Sequence, residues 1–254
     1  MSEQRLHLVK VPLRADRLVS LAKRRHIPIR DLDDGYLTHC LLTELWQATA
    51  PAPFVLRGAG RTLDVWGYSQ SSAPELIDHA RAFGDPAILD TLDGVETISS
   101  KAMPRFERGR RVGFLARVCP VARLSKSTNG HRAGAEVDVF LSKAFVAGST
   151  ASLAREAIYR EWFTSKLSDP ASTGVLVERV RVAAIARTRL VRRTQGDARE
   201  ARPLERPDVR VEGDLVIDDG NAFLRFLAHG IGRHRAFGFG ALIVVPPGTS
   251  HALS

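Results

Sequence analysis

At 254 residues the chain has room for one large or two ordinary domains, and its 44% hydrophobic content is ample for a packed core. Lys plus Arg number 37 against 28 Asp plus Glu, a formal net charge of +9, which predicts attraction to polyanions without choosing among RNA, DNA and anionic lipid. No apolar run approaches the ~18 residues of a membrane span, the polar start Met1-Ser-Glu-Gln-Arg-Leu-His7 carries no signal-peptide core, and two cysteines, Cys40 and Cys119, give neither a disulfide framework nor a zinc spacing, so the expected location is the cytoplasm.

Leu6 to Leu13 reads as a first strand. A basic segment follows, Arg14 to Arg30, centred on Lys23, Arg24, Arg25 and His26. Asp33-Asp34-Gly35 opens a predicted helix, Tyr36 to Gln47, with acids at its positive end, and Pro51 to Pro53 stops it. Phe54 to Arg57 and Thr62 to Tyr68 form a predicted hairpin across Gly58-Ala-Gly60. Ser72 to Phe83 is a second helix with Pro74 in its first turn, and Glu96 to Met103 closes the half as a strand. The order β-α-β-β-α-β is that of a ferredoxin-like unit.

The second half begins near Arg111. Val112 to Leu124 is a predicted strand interrupted at Pro120, where an edge or bulge is expected. Ala151 to Leu167 reads as a helix capped by Ser149 or Thr150. Gly174 to Thr194 is rich in Val and Ala with alternating bases. Val209, Val211, Leu215 and Ile217 alternate with Arg210, Glu212, Asp214 and Val216, a half-buried strand. Arg179 to Arg206 holds nine arginines and three acids; Gly196, Pro203 and Pro207 favour an extended or hairpin arm over one long helix. Such an arm is a solvated face or a nucleic-acid contact, and the dominance of arginine over lysine favours the contact.

The last elements are a helical segment, Asn221 to His229, a loop, Gly230-Ile-Gly-Arg-His-Arg-Ala-Phe-Gly-Phe-Gly240, and a strand, Ala241 to Val245. The loop packs four glycines and three bases into eleven residues. Glycine lets backbone approach a ligand, and the bases suit phosphate. A dinucleotide fingerprint runs strand, loop, helix, so this helix-loop-strand order is not a Rossmann phosphate loop. The element order again fits β-α-β-β-α-β. Two units are therefore expected, 1–104 and 105–254, in an α+β chain.

Together, Gly35-Tyr36-Leu-Thr-His39, Arg117-Val-Cys-Pro120 and the Gly230–Gly240 loop resemble the CRISPR precursor-RNA processing endoribonucleases, nearest the CasE type of type I-E systems, with type IV processing nucleases as close relatives. The resemblance implies two tandem ferredoxin-like (RRM-like) domains; the arginine-rich segment, which matches no family pattern, is expected as an insertion in the second. It also implies metal-free, cofactor-free cleavage at the foot of a repeat hairpin, retention of the guide RNA, and docking into an effector complex. Tyr36 and His39 match its Tyr-x-x-His pair, Arg117 and Pro120 its Arg-x-x-Pro, and Gly230, Gly232, Gly238 and Gly240 its glycine loop. Some relatives use arginine-centred sites without the histidine.

Tyr36 and His39 are three apart and share a helix face. Leu37, Leu41 and Leu45 form a stripe, and His39 points about 160° away from it. An ordinary surface histidine is the competing reading. RNA cleavage of this kind needs a base for the 2′-hydroxyl and cations for the developing charge. His39 fits as base or acid, Tyr36 as its orienting partner or proton donor, and Lys23, Arg24 or Arg25 as the cation. His26 competes for the base, but a phosphate contact suits it better. Predicted RNA contacts are Lys23, Arg24, Arg25, His26, Arg117, Arg123, Arg189, Arg192, Arg193, Gly230, Gly232, Arg233, His234, Arg235, Gly238 and Gly240. Glu136 and Asp138 would share one side of a strand, as Mg²⁺ ligands or, more in keeping with a basic chain, as salt-bridge partners. Phe237 and Phe239 fit either base stacking or anchoring of the loop in the core. A non-catalytic RNA-binding subunit and a basic DNA-binding regulator are the rival functions.

Overall fold

The computed structural model describes residues 5–24, 34–58, 61–150, 153–193 and 201–248, with backbone alone at 191–193 and 201–203. The first half runs β1 (His7–Arg14), α1 (Ala15–Arg24), α2 (Asp34–Trp46), β2 (Phe54–Arg57), β3 (Thr62–Ser69), α3 (Ala73–Phe83), a short α4 (Pro86–Leu89) and β4 (Ser99–Ala102). The strands form an antiparallel sheet in the order β2-β3-β1-β4. Alternation in β1 decides which face is covered: Val9, Val11 and Leu13 are buried against Leu18 and Leu21 of α1 and the leucines of α2. The other face carries Lys10 and, from β3, Asp64, which pair at 2.9 Å. A capping box of Ser72 and Glu75 starts α3. The closing strand is shorter than expected because Val95–Thr97 forms a 3₁₀ turn before it.

The second half runs β5 (Arg111–Val118), β6 (Val121–Arg123), β7 (Glu136–Asp138), α5 (Val139–Ala147), α6 (Arg155–Ser165), a short α7 (Pro170–Thr173), β8 (Val175–Arg193), β9 (Ala201–Ile217), α8 (Gly220–His229) and β10 (Leu242–Val245). Its main sheet has the order β10-β5-β9-β8, the same strand arrangement as the first. Both halves are ferredoxin-like, and the chain is α+β. The larger core gathers Phe114, Phe163, Phe223, Leu227 and the inward face of β9, and takes in Leu6 and Tyr68 from the first half.

Three local readings shift. The expected strand 112–124 breaks at Pro120: β5 stops at Val118, and β6 leaves the sheet to pair with β7. The helix predicted from Ala151 starts at Arg155 with Ala154 at its cap position, so Ser149 and Thr150 do not cap it. The arginine-rich segment is the hairpin that was expected, formed by lengthening β8 and β9 of the sheet itself, paired from Val175↔Ile217 to Arg193↔Ala201. Its outward residues are less exposed than a half-buried strand implies. Glu212 and Asp214 are 2% and 4% exposed, and Arg181 and Arg179 of β8 neutralise them. A carboxylate without such a partner would cost several kcal/mol to bury.

The halves meet along β2 and β10. Val55 packs with Ala241 and Ile243, and the Tyr68 hydroxyl donates to the Leu242 carbonyl at 2.7 Å.

Candidate functional site

The leucine stripe orients α2. Leu37, Leu41, Leu42 and Leu45 are all buried. Tyr36 and His39, on the side turned away from Leu37, Leu41 and Leu45, are half-buried. The Tyr36 ring stacks on Phe237, centroids 5.5 Å apart and planes 25° apart. The helix can come this close because residue 35 is glycine: a Cβ there would lie 2.2 Å from the Phe237 carbonyl oxygen. The first turn of α2 thus rests on the 3₁₀ turn Arg235–Phe237 inside the glycine loop. Burial lowers the pKa of His39 below its ordinary 6.5, so the imidazole is neutral at neutral pH and can accept a proton.

The glycine loop folds back on itself. The Ile231 amide donates to the Gly240 carbonyl at 2.8 Å, and the Gly240 amide to the Arg117 carbonyl at 2.7 Å. Gly240 has φ +84°, and a Cβ there would meet the Ile231 oxygen at 2.5 Å. His234, not a glycine, also sits in the left-handed region at φ 63°. Its Nε2 lies 2.5 Å from Glu136 Oε1, and its ring meets Phe237 edge-on at 5.8 Å. Arg233 and Arg206 reach the same carboxylate at 3.2 and 3.5 Å. Burial alone would lift the Glu136 pKa; the hydrogen bond with His234 and the charges of His234, Arg206 and Arg233 outweigh it and hold the carboxyl low. A run of contacts therefore leads from Glu136 through His234 and Phe237 to Tyr36. Around it lies a cavity of about 710 Å³ lined by Arg123, Glu136, Arg206, Arg233, His234 and Arg235.

A second cavity, about 360 Å³, opens between the halves beside Gly35 and Phe237 and is lined by Asp34, Arg57, Arg117, Arg189 and Arg210. Arg117 is committed elsewhere: it grips Asp208 with two hydrogen bonds, at 3.0 and 2.6 Å, and its guanidinium lies 4.4 Å from the Phe239 ring centre. Burial raises the Asp34 pKa, with the Arg117 charge pulling the other way.

Of the predicted site residues, Arg123, Gly232, Arg233, His234 and Arg235 line the first cavity and Arg117 and Arg189 the second; Tyr36 reaches their shared residue Phe237 by stacking, while His39 lines neither. Lys23 and Arg24 are exposed in the last turn of α1. Arg25 and His26 lie outside the described residues, as do the side chains of Arg192 and Arg193, whose backbones end β8. Glu136 and Asp138 serve separate partners. Asp138 takes Arg155 at 3.1 Å and the Tyr159 hydroxyl at 2.7 Å. Among the described residues no three His, Cys, Asp or Glu side chains group as a metal site. Cys119 is buried and its thiol pKa is pushed up. Phe239 is fully buried, an anchor of the loop, while Phe237 is only partly so. Sequence reasoning passed over Asp34, Arg57, Arg206 and Arg210 as binding groups. Glu136 was weighed only as one of a pair. Its three cations come from β9 and the glycine loop, and no local signal joins them.

The sequence model for CRISPR associated proteins matches residues 6–246. The chain belongs to that CRISPR associated family. No curated protein matches it. Solved structures share its fold. A CRISPR endoribonuclease Cse3 bound to a 19-nucleotide RNA superposes with a TM-score of 0.62 at 21% identity, covering 95% of this chain and 100% of that one. Thermus thermophilus Cse3 bound to an RNA representing a pre-cleavage complex gives 0.60 at 20%, with 95% and 100% covered. A chain of a CRISPR RNA-guided surveillance complex gives 0.51 at 19%, covering 95% and 99%. No helix among the described residues is long and apolar enough to cross a membrane.

Proposed function

We propose that this CRISPR associated protein is a metal-independent endoribonuclease that cuts repeat RNA at the base of its hairpin and keeps the guide. One observation carries the reading: Tyr36 and His39 share a half-buried face of α2, and Tyr36 stacks that face onto the basic glycine loop. A base, a phenol and a set of cations are the parts that transesterification of RNA requires.

His39, neutral at working pH, takes the proton from the 2′-hydroxyl upstream of the scissile phosphate. The 2′-oxygen attacks phosphorus in line, and the 5′-oxygen leaves, receiving a proton from the Tyr36 hydroxyl or from water. The ends are a 2′,3′-cyclic phosphate and a 5′-hydroxyl. Arg235 of the loop and Lys23 and Arg24 of α1 offset charge on the non-bridging oxygens, usually the larger catalytic contribution. Metal independence is supported by the two carboxylates of β7, each engaged by its own cations. The β8–β9 hairpin and the glycine loop grip the stem through phosphates and A-form shape, so affinity falls steeply with salt. The surveillance-complex chain of like fold supports a retained product and a place in an effector complex.

The test is incubation with a cognate repeat transcript in excess chelator, followed by end-group analysis. One cut per enzyme at the stem base, with a cyclic phosphate, is expected. RNA bound tightly but left intact would make the protein a non-catalytic subunit; cutting only when Mg²⁺ is restored would overturn the mechanism.

A further inference from the structure

Arg57 is the last residue of β2, where the first sheet meets the cleft between the halves. It is half-buried, and its Nε is shut off from solvent with no acceptor among the described residues. In the β2–β3 ladder its partner across the strand is Asp64. That carboxylate is engaged by Lys10 at 2.9 Å and not by Arg57. The guanidinium instead rests over Trp66, 5.9 Å from the ring centre. Burial alone pulls its pKa down, but an arginine remains charged. The result is a partly desolvated cation with no carboxylate partner among the described residues, so an anionic ligand reaching it would meet a donor already stripped of part of its water.

The surroundings say which ligand. Arg189 and Arg210 line the same cleft from β8 and β9, and Asp34 is the one carboxylate among its described lining residues. A space of about 360 Å³ suits one nucleotide and is too small for a duplex. It adjoins Gly35 and Phe237, the residue on which Tyr36 stacks, so on the nuclease reading it lies next to the cutting site.

Resting on the nuclease reading above, we propose that this cleft is a subsite for one unpaired nucleotide flanking the repeat stem, its phosphodiester held by Arg57. The planar fork of arginine matches two phosphate oxygens. Asp34 opposes the same phosphate, so the site is tuned and not simply basic.

The test measures affinity for a repeat stem carrying five-nucleotide single-stranded flanks, for the bare stem, and for a five-nucleotide single strand, using wild type, Arg57→Gln and Asp34→Asn. Arg57→Gln is expected to weaken the flanked RNA by roughly tenfold, the loss of one charge-assisted contact, and the bare stem by less than about twofold. The log–log salt slope on flanked RNA should fall by about 0.7, one single-strand phosphate. Asp34→Asn should tighten flanked RNA by roughly threefold, a gain that a misfolded variant cannot produce. Equal losses on flanked and bare RNA, or no loss with Arg57→Gln, overturn the subsite. Competition by millimolar inorganic phosphate without any Arg57-dependent grip on the short strand makes it a free-phosphate site and overturns it too. Should wild type ignore the repeat stem while the short strand still depends on Arg57, the nuclease reading fails and the subsite stands. Cutting of the repeat with Arg57 immaterial in every RNA sinks the subsite alone.

Discussion

Two arginine-rich regions of this molecule differ in what answers their charge. Around Glu136 the cations are internally compensated: Arg206, Arg233 and His234 converge on one carboxylate and so fix the glycine loop. In the cleft beside it, Arg57 has no carboxylate among the described residues, and its neighbour Asp64 is held by Lys10. Counting positive residues would score the two alike. Physically the first builds structure, and the second leaves binding energy to be completed from outside. The β8–β9 hairpin repeats the lesson within one element, since Arg179 and Arg181 neutralise buried Asp214 and Glu212 while Arg189 faces the cleft.

The largest effect should come from breaking the compensated region. Glu136→Gln leaves two arginines and a histidine without their counter-charge. Glu136, Arg206 and His234 are largely buried, while Arg233 is 47% exposed, which weakens its share. The expected loss is about 2–3 kcal/mol of stability, read from the denaturant midpoint. Arg57→Gln should change stability by less than about 0.5 kcal/mol. Equal shifts would erase the distinction.

Next comes the seam that joins α2 to the loop. Gly35→Ala places a methyl 2.2 Å from the Phe237 oxygen, a backbone atom that cannot step aside alone. Overpacking of this kind costs about 1–3 kcal/mol. The single-turnover cleavage rate should fall further than stability alone accounts for, because Tyr36 is drawn off Phe237. A variant as fast as wild type would show that the seam does not position the site.

The smallest and most discriminating effect is on pH. Burial lowers the His39 pKa below 6.5, so the base form persists below that value. The cleavage rate should stay level from neutral pH down past 6.5, then fall about tenfold per pH unit as the imidazole protonates. An arginine-centred site would show no such acid limb.

Much of the fold was legible in the sequence because its signals are local and periodic. The leucine stripe of α2, the Phe54–Tyr68 hairpin and the alternation at Val209 to Ile217 each announce an element and its buried face. Strand and helix order then pointed to ferredoxin-like units. That Tyr36 and His39 lie on one face of α2 was likewise readable from spacing. What could not be read were partnerships between distant segments. Nothing near Glu136 announces Arg206 or His234, and the isolation of Arg57 depends on Lys10 taking Asp64 first. The helix start at Arg155 was missed because Ser149 and Thr150 look like good caps, yet Thr150 instead accepts a turn hydrogen bond from Leu153.

The central claim is that His39 on α2 moves the proton that starts cleavage. The direct measurement is the single-turnover rate of His39→Ala on repeat RNA in chelator, with affinity measured alongside. A rate roughly 100- to 10,000-fold below wild type with near-normal binding is predicted. Cleavage at the wild-type rate by a folded variant would contradict it.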